Sequence, residues 1–415
     1  MDLPDVPGSG GFGGPGGPGG NFMEQFLADL LRMMGSGMGG ASAKVDMARA
    51  MATGVATEAG PETYPDPLER MAIEELLQVA QLHVTEITGI DVTGDGATLE
   101  VQAAGPGTWA AQTVEDWAFV LDAAGSADTT AAMTGLTRDL GDEPGPGISD
   151  FLAQAMSTMG PVLAAMQLGS AVGHLARTTL GQYELPVPRP SSSRHRMLVV
   201  PANLDRFASD WSLPEQDVRL WVCLRDSTVH AVLGRTGVAD RLRQLLTAVA
   251  RTTAADNAQL VGGLGGFDPS DPESLQRLLG DPEALVAAAE PSPARERAVD
   301  ELAAAGAALI GYVEHVLDRA ATRLLGGRGA LGEAWRRQQV ERDSAARAAE
   351  MLLGLDMGPA TLDRGAAFVS GVLERAGDDG LARLWAGGAN LPTPSEIEAP
   401  GLWLERIDLT DPAGT

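Results

Sequence analysis

The chain has 415 residues, 44% of them hydrophobic, which is enough apolar material for a sizeable core and excludes wholesale disorder. Thirty basic against 56 acidic residues give a formal charge of −26, a field that repels nucleic acid and anionic lipid. Cys223 is the only cysteine, so an internal disulfide and a thiolate metal cluster are both excluded, and any metal falls to His and carboxylates.

The N-terminus carries Asp2 and Asp5 in place of the positive and apolar regions of a signal peptide. No apolar run reaches the roughly 18 residues that span a bilayer. The expectation is a soluble, cytoplasmic protein with no membrane and no nucleic-acid partner. Residues 8–20 (GSGGFGGPGGPGG) are Gly/Pro low complexity, predicting a flexible arm over residues 1–42. Inside it Phe22, Phe26, Leu27, Leu30, Leu31 and Met34 recur at helical spacing, predicting a short amphipathic helix over 21–35. That helix either docks on its own core or binds a protein partner. Residues 43–415 read as a single, mainly α domain.

The segment PDPLERMAIEELLQVAQLHVTEITG predicts a helix in which His83 is a half-buried packing residue. IDVTGDGATLEVQA alternates around Asp95 and Gly96 and predicts a small β-hairpin. Asp91, Thr93, Asp95 and Gly96 imitate a calcium loop, but its closing carboxylate falls on Gln102, which argues against calcium. Residues 108–123 predict a helix with Trp109 and Trp117 on its core face, and 149–181 a longer one in which Gly169 and Gly173 mark a close crossing. His195 falls in a linker. Ser212 and Glu215 form a capping-box pattern at the head of PEQDVRLWVCLRDSTVHAVL, a central helix nearly all apolar on one side. Helices over 294–325 and 329–354 follow, then another through LDRGAAFVSGVLERAG and a tail anchored by Trp403.

No Gly-rich phosphate loop, nucleophile elbow or His-Glu-x-x-His occurs. The best constellation is Asp226 and His230 one turn apart on one helix, with Glu314, His315 and Asp318 on another. Two readings stay open: these groups hold a metal, or Arg219, Arg225 and Arg319 pair with the carboxylates. Cys223 on the same helix reads as packing.

In their order, QLHVTEITG, TWAAQTVEDW, MGPVLAAMQLGSAVGHLA, ELPVP, LVVPANLDRFASDWSLPEQDVRLWVCLRD, GYVEHVLDRA and MLLGLDMGPATLDRGAAF span nearly the whole chain. The set resembles the actinobacterial zincin-like family labelled zinc-dependent metalloprotease, which has a sister branch labelled as associated with deazaflavin-coenzyme biosynthesis. The resemblance implies a helical zincin-like core in which one helix carries His-Glu-x-x-His and a later helix a further ligand. Histidines at i and i+4 share a face and bind Zn2+ while the Glu polarises the bound water. Many members have Arg at the first His position.

This sequence departs further from that pattern. Arg225 falls on the first His position, Asp226 on the Glu position and Val229 on the second His position, in the run Arg225-Asp226-Ser227-Thr228-Val229. Glu314 matches the later-helix position. The resemblance thus implies zinc in the family and argues against it here, leaving a non-catalytic scaffold or binding protein in which Arg225, Asp226 and Glu314 form an ion-pair cluster. The alternative is an active metal-dependent hydrolase or peptidase with a variant ligand set of Asp226, His230, Glu314 and His315, Asp226 or Glu314 serving as general base. That set requires a rotated helix; without the rotation His230 is expected at the surface or the helix end.

Overall fold

The computed structural model describes residues 41–58, 60, 62, 66–93, 99–125, 148–263, 291–326, 329–342 and 344–410. Residues 1–40 of the expected arm, with the 21–35 helix, lie outside these, whereas its last two residues, 41 and 42, are helical. The described chain is mainly helical with one small β element, as the patterning predicts. Helix α1 spans Ala41–Ala56 and α2 Pro67–Thr88. In α2 the Asp66 side chain accepts the Leu68 N–H, Pro67 supplies a preset φ in the first turn, and Gly89 closes the helix with φ 67°. Its His83 is half-buried and lies 3.5 Å from Glu86.

Strand β1 is Glu100–Ala103. Its partner is β2, Arg196–Val199, in parallel register with Val101 opposite Met197. Residues 90–93, the expected first arm of a hairpin, form no strand, and the expected turn at 94–98 lies outside the described residues. A parallel pair needs a long crossover, here supplied by α3 (Pro106–Asp116), α4 (Ala118–Gly125) and α5 (Ile148–Ala176). Residues 108–123 are therefore two helices and not one, broken at Trp117; Trp109 and Trp117 are both buried, as expected.

Glycine sets the closest helix contacts. A Cβ on Gly169 would stand 2.4 Å from the Ala48 carbonyl oxygen, and one on Gly173 2.7 Å from that of Ala52, so α5 meets α1 at the predicted small-residue crossing. The remaining helices are α6 (Pro201–Asp210), α7 (Glu215–Leu233), α8 (Thr236–Gly263), α9 (Pro293–Leu324), α10 (Gly329–Glu341), α11 (Ser344–Leu353), α12 (Pro359–Ala382), α13 (Pro394–Glu398) and α14 (Pro400–Thr410). The expected 329–354 helix is thus divided into α10 and α11. The longest helix among the described residues, α9, packs along α12 with backbone against backbone: a Cβ on Gly311 would lie 2.3 Å from the Gly365 carbonyl carbon. Trp403 is fully buried and its Nε1 donates to the Asn390 carbonyl at 2.6 Å, anchoring the tail.

Helix α7 runs through the centre, with every residue from Leu220 to Leu233 buried. Its start differs from the expected capping box. Pro214 holds the N-cap position without a side-chain cap, while Ser212 sits at φ 53°, where the chain turns sharply out of α6. Among the described residues no helix is long and apolar enough to cross a membrane.

Candidate functional site

The site is built where the segment 179–184, which follows α5, is laid against α7. Three contacts hold that segment. Val199 of β2 bridges Gly181, the Leu180 carbonyl accepts the Val200 N–H at 3.1 Å, and the Trp109 indole donates to the Gly181 carbonyl at 2.9 Å. Asn203 on α6 adds two bonds, to the carbonyls of Ala176 (3.0 Å) and Thr179 (2.7 Å). These contacts spend the polar groups of a buried loop on fixed partners, as its location in the core demands.

Asp226 of α7 faces the loop. A Cβ on Gly181 would stand 2.3 Å from Asp226 Oδ2, so only glycine lets the carboxylate sit there. The same oxygen accepts the Tyr183 N–H at 3.3 Å. Arg225 Nε approaches Asp226 Oδ1 at 3.8 Å, and Arg225 Nη2 lies 3.9 Å from Glu184 Oε2 and donates to the Tyr183 carbonyl. The Arg225 guanidinium stacks 4.3 Å from the centroid of Trp335 on α10. Arg342, just beyond α10, completes the cluster: it pairs with Glu184 and, at 3.1 Å, with Glu350 of α11. Thr179 Oγ1 donates to Glu184 at 3.3 Å.

Burial works against both members of the central pair. It pushes the Asp226 carboxyl above its ordinary range, opposed by Arg225 and by the backbone N–H groups of Tyr183 and Gln182. It pulls the Arg225 guanidinium down, opposed by Asp226 and Glu314. Cys223 is buried one turn away with its thiol pushed up to about 12 by burial, and so stays protonated; it packs and does not act as a nucleophile.

The variant ligand set does not converge. His230 is buried, not at the surface, and its Nδ1 pairs with the Tyr183 hydroxyl at 2.8 Å. Glu314 is half-buried on α9, with Arg336 3.9 Å away. His315 turns toward Asp378 of α12, at 4.0 Å, where Arg319 already pairs with Asp378 at 2.9 Å. Arg219 pairs with Glu69 and Asp205, on other elements than those of the motif. Among the described residues no group of three or more His, Cys, Asp and Glu side chains is arranged to hold a metal ion.

Zinc does not fit this donor set. Val229 offers no lone pair, Asp226 is held by the loop backbone, and a guanidinium that remains cationic lies beside it where a dication would have to enter. Sequence reasoning found Arg225 and Asp226 but missed Gly181, Tyr183, Glu184, Trp335 and Arg342.

With this geometry in view, the comparisons are consistent. The model of the zincin-like metallopeptidase family matches residues 44–404, and the chain belongs to that family. A crystal structure of a Chloroflexus aurantiacus protein, described as having a novel fold, is similar with a TM-score of 0.58 and 19% identity, over 88% of this chain and 98% of that one. That likeness is one of fold. No curated protein matches the chain.

Proposed function

We propose that this chain is a non-catalytic member of the zincin-like family, a scaffold whose metal position has been taken over by a buried ion-pair network. One observation carries the reading: the Arg225 guanidinium lies between Trp335, the Tyr183 carbonyl and Asp226, on the helix face where the family pattern has its first histidine. The positive charge that zinc brings is replaced by a covalently attached one, and Asp226 is neutralised without a metal-bound water to polarise. Residues 43–415 act as one domain, and the segment 21–35 is a candidate element for a protein partner. A cytoplasmic setting, no nucleic-acid partner and a place in the actinobacterial branch complete the proposal, supported by the −26 charge and by the ordered motifs.

The test is the metal content of protein purified without chelators, followed by zinc titration of the wild type and of Glu314→Ala. Metal-free protein whose melting temperature ignores added zinc is the expected result. Stoichiometric metal that is lost in Glu314→Ala overturns the scaffold and installs a variant metallohydrolase.

A further inference from the structure

Helix α2 buries Ile73, Leu77, Ala80 and Val84, yet it also exposes large apolar side chains: Leu68 is 75% exposed, Met71 57%, Val79 40% and Leu82 68%. At 3.6 residues per turn these four and Glu75 fall within an arc of about 80°, a stripe about 21 Å long on the face opposite the core. Scattered exposed apolar residues need no explanation, but an aligned set on one helix marks a contact surface. The spacing of Leu68, Met71, Glu75 and Leu82 follows a two-helix seam.

The charge in the stripe selects its occupant. Leu68 and Leu82 are equidistant from Glu75, as are Met71 and Val79, so apolar groups would match in a symmetric pairing of two copies. That pairing also sets Glu75 against its own equivalent, in parallel or antiparallel register, with Glu74 adjacent. Glu74 and Glu75 are exposed and have no ion-pair partner among the described residues. Two facing carboxylates in an apolar seam, on a chain of charge −26, oppose self-association. The complementary surface is an apolar helix face with a cation at its centre.

We propose that the exposed face of α2 is the docking site for an amphipathic helix of another protein, one that carries Arg or Lys in the middle of its apolar stripe. This deepens the binding-protein reading, and its failure leaves that reading to the zinc experiment. The probes are two synthetic helical peptides of about 16 residues, long enough to cover the stripe, identical in their leucine face and differing only in a central Arg or Glu. Anisotropy titration against the full chain is expected to favour the Arg peptide about tenfold. Glu75→Lys should reverse the preference, and Leu82→Glu should weaken the Arg peptide about tenfold while leaving the circular dichroism unchanged. Equal affinity for the two peptides, no binding of either, or indifference to both substitutions overturns the proposal. Dimerisation in sedimentation that Leu82→Glu abolishes also overturns it, by assigning the face to a second copy.

Discussion

Two buried contacts in this molecule hold helices together by opposite means. Where α9 crosses α12, Gly311 and Gly365 remove their side chains and let backbones touch. Where α7 meets the 179–184 loop and the end of α10, the interface is filled with charge: Glu184, Arg225, Asp226 and Arg342, all at most 6% exposed. The first contact stabilises by dispersion and by excluding volume, and tolerates nothing added. The second stabilises only while every charge keeps its partner, and tolerates nothing removed. A family fold can therefore lose its metal chemistry and retain its core if the vacated charge is balanced from within the chain.

The largest effect should come from breaking that balance. Arg342→Met leaves Glu184 buried without its principal cation and is expected to cost about 3–5 kcal/mol in urea unfolding. Adding Glu184→Met should recover most of the loss; a double variant no better than the single one would mean that packing, not charge, dominates there. Next comes the glycine crossing. Gly365→Ala places a methyl group 2.1 Å from the Ala307 carbonyl oxygen and should cost about 1–3 kcal/mol, read as a lower urea midpoint at unchanged slope.

The smallest effect is a pH dependence. Because burial raises the Asp226 pKa above its unfolded value, the folded state holds that proton more firmly. Stability should therefore fall as pH rises from the ordinary carboxylate range through the raised value, and level off above it. Asp226→Asn keeps an acceptor for the Tyr183 N–H but does not titrate, so comparing its unfolding profile with that of the wild type isolates the contribution. Parallel profiles would show that Arg225 holds the carboxylate charged throughout.

Helices with a local signal were legible in the sequence. Periodicity located α2, α7 and α9, and the four-residue spacing of Gly169 and Gly173 marked the α5–α1 crossing. The equivalent role of Gly311 and Gly365 left no such trace, since neither has a second glycine four residues away on its own helix. The Ser212 pattern misled because a capping box is only local: the backbone at Ser212 is committed to the turn after α6, and Pro214 takes the cap. The hairpin misled for a related reason, β1 finding its partner far along the chain in β2. At the site, Arg225 and Asp226 stood out through the family pattern, whereas Glu184 and Arg342 are joined only by the tertiary fold. Alternation and spacing carry no information about such a pair.

The parallel pairing of β1 with β2 also bears on the order of assembly. Joining Glu100 to Arg196 closes a long loop that includes α3, α4 and α5, and contacts of that separation form slowly. The bridge from Val199 to Gly181 shares Val199 with that ladder, and the seat of Asp226 depends on Gly181. The charged layer is therefore expected to be dehydrated late, its carboxylates and guanidinia staying in water until their partners are in reach; amide protection of α7 and α9 before that of residues 100–103 during refolding would check it.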